Sequence, residues 1–221
     1  MFNTGMTSRD WYLWLGWGFA TAVGLMVSDF LGVFFFQGGF IEFLLPGVII
    51  GSLQGRLILQ HQGIRASGWI AISTIGWTMG WILGLGAGAL VNAVTLLATG
   101  DIETNPVVNA GSGFLGLAGL LVIHGTVIGI TQWFFVLRKN FYGAGWWVFA
   151  NVVGWPLANG ISWGIIAPVG LIFGIALPGL ADSAIRGTAF GAITGFTLVW
   201  LLRQSRPGTQ IATAEASAPS K

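Results

Sequence analysis

The sequence predicts an all-α integral membrane protein, a six-helix bundle built from three parallel two-helix hairpin repeats. Only 7% of its 221 residues are charged and 54% are hydrophobic, whereas an average soluble domain is about 25% charged. Six apolar stretches approach the length of a spanning helix, and glycine-rich text recurs along the chain. The low charge also argues against a disordered chain and against a nucleic-acid-binding protein, so no nucleic acid partner is expected.

The predicted spans follow from length, because a helix needs about 20 mostly apolar residues to cross a bilayer. They cover residues 11–27, 40–60, 69–96, 114–137, 146–166 and 184–202. Two shorter apolar stretches, 30–36 and 169–177, either extend a neighbouring helix or form an interfacial or re-entrant turn. Residues 1–203 are therefore predicted to form the transmembrane domain, and the polar residues 204–221 a disordered cytoplasmic tail.

Opposite charges gather at opposite ends of this predicted bundle. With six spans, one side holds Arg9, Arg56, Arg65, Arg138, Lys139, Arg203, Arg206 and Lys221. The other side holds Asp29, Glu42, Asp101, Glu103 and Asp182, with Arg186 as its single base. The excess of basic residues in cytoplasmic segments places both termini in the cytoplasm. Residues 101–109 then form the main extracytoplasmic loop.

One segment recurs 78 positions later without a gap. Its pattern is G-x-x-x-G-x-x-Q, a short basic turn, and two Trp separated by seven residues. The two copies carry Gly47, Gly51, Gln54, Trp69 and Trp77, and Gly125, Gly129, Gln132, Trp147 and Trp155. A weaker third copy carries Gly187, Gly191 and Thr194, and the Gly-Trp pair at Trp17 is aligned with those at Trp77 and Trp155. The chain is thus predicted to divide into three hairpins, residues 11–60, 69–137 and 146–203.

The glycines of each copy share one helix face, because positions i, i+4 and i+7 fall within a narrow stripe. Such a face allows two helices to approach closely in a membrane. We keep two interpretations of the three stripes. They pack the bundle, or they line a cavity near a pseudo-threefold axis.

The second copy also brings a resemblance. The residues that carry it are Gly125, Gly129, Gln132, Trp133, Leu137, Arg138, Trp146, Trp147, Val148, Gly154 and Trp155. This text resembles a group of small, uncharacterised bacterial membrane proteins that are common in cyanobacteria and their relatives. The first copy departs from it, with Gly55 in place of the Trp and Gln60 in place of the Arg. The resemblance implies a multi-pass protein of a bacterial cytoplasmic or thylakoid membrane, and it implies no activity.

Four polar residues are predicted to lie at one level of the membrane. His124 and Arg186 each precede the first Gly of a stripe, as Pro46 does, and Glu42 and Asp182 come four residues before Pro46 and Arg186. Ionisable groups inside a bilayer are functional candidates. The alternatives are an ion pair between Asp182 and Arg186 and an interfacial position for Glu42. His124 is either a neutral, hydrogen-bonded side chain or an axial ligand to a haem or chlorophyll-type macrocycle.

The aromatic and amide side chains allow further alternatives. Trp17, Trp77 and Trp155 are predicted to lie deep, where they pack against the glycine faces or line a pocket for a flat apolar ligand. An interfacial belt is predicted from Trp11, Trp14, Trp69, Trp133, Trp146, Trp147 and Trp200. The fifth span is polar and contains Pro156, which either breaks the helix at a transport site or makes a tolerated kink.

No catalytic motif is present, and the chain has no Cys and only two His, so we expect neither an enzyme nor a metal site. The identity of any cofactor stays open. Our first functional hypothesis is a non-catalytic membrane scaffold or accessory subunit that holds lipid or pigment. Its partners would be membrane lipid and other membrane subunits or a second copy of the chain. The alternative is a permease or channel for small solutes that uses the level of Glu42, His124, Asp182 and Arg186.

Overall fold

The computed structural model describes residues 6–36, 39–57, 59, 64–99, 106–173 and 179–204. Its described part consists of helices joined by short turns, which confirms the all-α class. The long helices are α1 (Ser8–Phe35), α2 (Phe40–Leu57), α3 (Ala66–Thr99), α4 (Pro106–Gln132), α5 (Gly145–Phe173) and α6 (Gly179–Arg203). A π-helical turn (Trp133–Leu137) and one further turn (Arg138–Asn140) continue α4.

Five of these helices, all except α2, are long and apolar enough to cross a membrane. The helix α2 has 18 residues and carries Glu42 in its first turn and Arg56 in its last. The chain is therefore a multi-pass membrane protein by the length and composition of its helices. The sixth crossing stays a prediction.

Several helix ends differ from the prediction. The stretch 30–36 extends α1, and the start of the stretch 169–177 extends α5. Residues 106–109 of the predicted outer loop are the first turn of α4. Helix α5 also runs through Pro156 without a break, which agrees with the tolerated proline and not with the broken helix. Residues 101–105, His61 and the predicted tail from 205 onward lie outside the described residues.

The start of α1 is set by a capping box, in which two residues satisfy each other's backbone donors. Thr7 Oγ1 accepts from the Asp10 N–H at 3.3 Å, and the Asp10 carboxylate accepts from the Thr7 N–H at 2.8 Å. The same carboxylate lies 2.6 Å from the Arg203 guanidinium. Because Arg203 ends α6, this ion pair joins the first and last helices.

The six long helices form a closed ring in chain order. Each helix packs against the next, and α6 packs against α1. The Trp14 indole strengthens this closure by donating to the Ala192 carbonyl at 2.8 Å. The two ends of the described chain consequently lie side by side, and the interior of the ring is where side chains from all six helices meet.

Candidate functional site

Three tryptophans fill the ring at one level. Trp17 of α1, Trp69 of α3 and Trp147 of α5 lie with their ring centroids 5.8 to 6.0 Å apart, each pair edge to face. Each is at most 1% exposed. Edge-to-face contact is favourable for indoles because the positive edge of one ring meets the negative face of the next. We call these three residues the tryptophan layer, and it closes the centre of the bundle.

The tryptophan layer differs from the sequence prediction. Trp69 and Trp147 are buried in the core and do not belong to an interfacial belt. Trp17 contacts these two residues, whereas it was predicted to match Trp77 and Trp155. The prediction aligned Trp17 with Trp77 and Trp155 because all three follow a Gly. The ring contacts of Trp17 group it with Trp69 and Trp147 instead.

Each indole N–H of the tryptophan layer has a polar partner on an adjacent helix. Trp69 donates to Gln54 Oε1 at 3.2 Å and Trp147 donates to Gln132 Oε1 at 2.8 Å. Trp17 donates to Thr194 Oγ1 at 3.1 Å. Gln54, Gln132 and Thr194 are the three residues that the sequence pattern aligned, and they make equivalent bonds here. Buried donors are thereby satisfied where no water is at hand.

The two glutamines also reach the helix on their other side. Gln54 Nε2 donates to Thr21 Oγ1 of α1 at 3.0 Å, and Gln132 Nε2 donates to Ser73 Oγ of α3 at 3.0 Å. Thr194 makes no second bond of this kind. Its hydroxyl donates to the carbonyl of Phe190 on its own helix at 2.9 Å. Each glutamine therefore links three helices, and the threonine links two.

The glycine stripes lie against neighbouring backbone. A Cβ added at Gly47, Gly125 or Gly187 would lie 2.5, 2.3 or 2.6 Å from a backbone atom of the facing helix. A Cβ at Gly51, Gly129 or Gly191 would meet its nearest atom at 3.0, 2.9 or 2.7 Å. Real Cβ atoms hardly ever come within 3.0 Å, so these helices need glycine to pack this closely. The stripes therefore serve helix packing, and the interpretation in which they line a cavity is wrong.

A second aromatic layer surrounds His124. Its imidazole is fully buried, and the centroids of Trp77, Trp81 and Trp155 lie 4.9, 4.8 and 5.0 Å from it. Gly80 of α3 makes the room, because a Cβ there would lie 3.0 Å from His124 Nδ1. With three indoles against the imidazole, this packing leaves no open face for a macrocycle. Gly80 was not predicted as a packing residue, although its spacing of four from Gly76 and Gly84 is a packing signal.

His124 and Trp155 both bury polar atoms without a partner among the described residues. Neither ring nitrogen of His124 has a hydrogen bond, and neither has the Trp155 Nε1. The Gly80 backbone lies beside the imidazole as a hydrogen-bonding group, so the hydrogen-bonded histidine expected from the sequence stays a prediction. The Arg186 guanidinium lies beside this pair, with its Cζ 5.9 Å from the centroid of Trp155.

A charged cluster adjoins the second aromatic layer. Arg186 of α6 pairs with Asp29 of α1 at 3.0 Å and with Asp182 one turn earlier at 3.3 Å. Ser183 donates to Asp29, and Ser162 of α5 donates to Asp182 at 2.5 Å. The predicted pair of Asp182 and Arg186 is present, and Asp29 is a second partner that was not predicted. It was missed because α1 was predicted to end at residue 27.

Glu42 is placed differently from the other three residues of the predicted polar level. It is exposed at the contact of α2 with α1, where a Cβ at Gly32 would lie 3.2 Å from its Cγ. The structure thus brings Asp182 and Arg186 together and places His124 next to them through Trp155. The result is a half-buried charged cluster above a buried aromatic layer that contains unpaired donors.

Comparisons with family models, with curated proteins and with solved structures gave no match. The resemblance to small bacterial membrane proteins therefore stays a prediction from its motif residues.

Proposed function

We propose that this protein is a non-catalytic integral membrane protein that serves as a scaffold or accessory subunit. The tryptophan layer carries the proposal. Its three indoles are buried, contact one another, and have every N–H bonded to a neighbouring helix. A solute moving along the bundle axis would have to break these contacts, which argues against a channel at this level. A closed interior is what a structural subunit needs.

The close packing supports the same proposal. Six glycines bring helix backbones into contact, and two glutamines each fasten three helices. Bundles packed in this way have few alternative arrangements, because packed interfaces switch between discrete states and do not deform gradually. A partner subunit would then meet a surface of fixed shape.

We further infer that the bundle contains three copies of one two-helix unit. The units are α2 with α3, α4 with α5, and α6 with α1. The matched bonds of Gln54 to Trp69, Gln132 to Trp147 and Thr194 to Trp17 support this division. It differs from the three sequential hairpins of the sequence analysis, since the third unit is composed of the last and the first helices.

The proposed topology has six spans with both termini in the cytoplasm. The ion pair of Asp10 with Arg203 supports an even number of crossings, because it holds the start of α1 and the end of α6 at one end of the bundle. Helix α2 would then be the sixth span, with Glu42 and Arg56 near its two ends.

The test is to isolate the protein from its own membrane after chemical cross-linking and to weigh the complexes by native mass spectrometry in mild detergent. We expect a complex of fixed stoichiometry with another membrane protein or with a second copy of the chain. A control without cross-linker shows which contacts survive detergent. Recovery of the monomer alone, with and without cross-linking, would overturn the scaffold proposal.

A second candidate function, transport of a small solute, is favoured by one observation. The charged cluster of Asp29, Asp182 and Arg186 lies next to the unpaired His124, and such groups in membranes often mark solute pathways. Flux into liposomes tests it with the variants Asp182→Asn and His124→Leu. Asp10→Asn is the matched control, since this acid pairs with Arg203 away from the cluster. Wild-type flux no greater than that of empty vesicles would reject this candidate.

A further inference from the structure

Four buried nitrogens on three helices lack hydrogen-bond partners in the described part of the chain. They are His124 Nδ1 and Nε2 on α4, Trp155 Nε1 on α5 and Arg186 Nε on α6. Leaving a buried donor unpaired costs about 1–3 kcal/mol. Buried polar atoms of this kind are ordinarily satisfied by protein or by a bound molecule. Three of them on consecutive helices point to one shared occupant.

The three side chains that carry these nitrogens are neighbours. The centroid of the His124 ring lies 5.0 Å from that of Trp155, and the Arg186 Cζ lies 5.9 Å from the same Trp155 centroid. Trp155 therefore stands between the other two. His124 Nδ1 is turned toward Gly80, which leaves Nε2 as the ring nitrogen for a ligand.

The site has one direction of access. Side-chain exposure is 35% for Asp29, 26% for Asp182 and 18% for Arg186, and it falls to 0% at His124. Beyond His124 the tryptophan layer is buried and fully bonded. A ligand would thus enter from the end that holds the carboxylates and would stop above the tryptophan layer.

The chemistry of the site selects an uncharged ligand. The charge of Arg186 is already matched by two carboxylates, so an anion would face Asp29 and Asp182. A cation would meet the N–H groups of Trp155 and Arg186, which can only donate. A hydroxyl oxygen accepts from both with its two lone pairs, and its O–H donates to His124 Nε2 in the tautomer that carries the proton on Nδ1.

We propose that His124, Trp155 and Arg186 form a binding site for a small uncharged hydroxyl compound, water or an alcohol, that is open only toward Asp29 and Asp182. The site goes beyond the scaffold function and does not depend on it. It makes the bundle a closed-ended vestibule, with a hydrated half and a dry half.

The absence of Cys from the chain allows single-cysteine variants to be labelled with a small, uncharged thiol reagent, which reacts fast only where water lets the thiol ionise. We expect His124→Cys to react at least about tenfold faster than Leu198→Cys, which is fully buried in the core around the tryptophan layer. Gly179→Cys reports the open end, since nothing lies within 4 Å of a Cβ there. Equal, slow labelling of the variants at 124 and 198, with normal labelling at 179, would overturn the proposal.

A second measurement leaves the site unmutated. It therefore tests the proposal even if the His124→Cys variant does not fold. His61→Asn leaves His124 as the only histidine, and its ¹⁵N-labelled ring is observed by solid-state NMR in lipid. Polarisation transferred from water to Nε2 identifies water as the occupant, and transfer from added ¹³C-ethanol identifies an alcohol. Both results support the site. A dry His124 that receives polarisation from neither would contradict it.

Discussion

At each of two places in this bundle, one glutamine side chain joins three helices. Gln132 of α4 accepts from Trp147 of α5 and donates to Ser73 of α3. Both ends of its amide are thereby used in a part of the protein where water is scarce. A side-chain amide carries its acceptor and its donors on different atoms, so it can accept from one helix and donate to another at the same time.

Replacing this amide should be costly. The variant Gln132→Leu keeps the approximate volume but leaves the Trp147 N–H and Ser73 without their partner. Polar contacts in membranes contribute about 0.6 kcal/mol each, and an orphaned buried donor adds about 1–3 kcal/mol. We expect the free energy of unfolding in bicelles to fall by about 1–3 kcal/mol.

The control for this variant is Ile130→Leu on the same helix, where the side chain is exposed. A lipid-facing exchange of this kind should stay within about 0.5 kcal/mol of wild type. Equal stability of Gln132→Leu and wild type would show that the amide bonds contribute nothing to the fold.

The sequence identified Gln54, Gln132 and Thr194 as matched residues, and the structure gives them equivalent partners. The acceptors Thr21 and Ser73 were not predicted, because small hydroxyl residues are common in membrane helices and carry no spacing signal. The unpaired His124 and the role of Asp29 were also beyond prediction, since both depend on which helices meet across the ring.

The helices meet through glycines at their narrowest contacts. At Gly125 the closest backbone atom, the Asn151 carbonyl oxygen, would lie 2.3 Å from an added Cβ. By contrast, Gly164 of α5 has nothing within 4 Å of its Cβ position. Some glycines therefore lie in tight helix contacts and others in open positions. The spacing of glycines in the sequence only partly distinguishes the two kinds.

The variant Gly125→Ala should force α4 away from α5. Overpacking of a tight interface costs about 1–3 kcal/mol, and the nearest atom here belongs to backbone, which moves less easily than a side chain. We expect a loss of this size in the free energy of unfolding. The matched control Gly164→Ala should be neutral or slightly stabilising, because alanine favours the helix. Equal effects of the two variants would contradict the packing role.

Helix positions were predicted better than helix ends. Hydropathy placed all six long helices, because a long apolar run is a strong signal. It ended α1 at residue 27, where the helix continues to Phe35, since Asp29 looks like the end of a span when its partner Arg186 is unknown. The register of α1 was also misjudged, because its true neighbours lie at the far end of the chain.

The ring as a whole has one junction that differs from the other two. Gln54 bridges α2 and α1, and Gln132 bridges α4 and α3. At the junction of α6 with α5 the corresponding residue is Thr194, whose side chain is shorter. Asn151 of α5 occupies the place that Thr21 and Ser73 have at the other junctions. A Cβ at Gly51 would meet Ser73, one at Gly129 would meet Asn151, and one at Gly191 would meet Thr21.

A longer amide at this position should complete the ring. We expect Thr194→Gln to keep the bond from Trp17 and to add one to the Asn151 side chain, raising the free energy of unfolding by about 0.6 kcal/mol. The opposite control, Thr194→Val, removes the acceptor of Trp17 and should lower it. If Thr194→Gln is as destabilising as Thr194→Val, the three junctions are not equivalent.

The closure of α6 on α1 has a consequence for how the protein is made. The Trp17 indole and its Thr194 acceptor are separated by 177 positions in the chain. A ribosome adding about 5–20 residues per second reaches Thr194 roughly 10–35 s after Trp17. During that time α1 is already in or near the bilayer with an unpaired donor. Native closure therefore belongs to the end of translation, and the insertion machinery must shelter the first helix until the last one arrives.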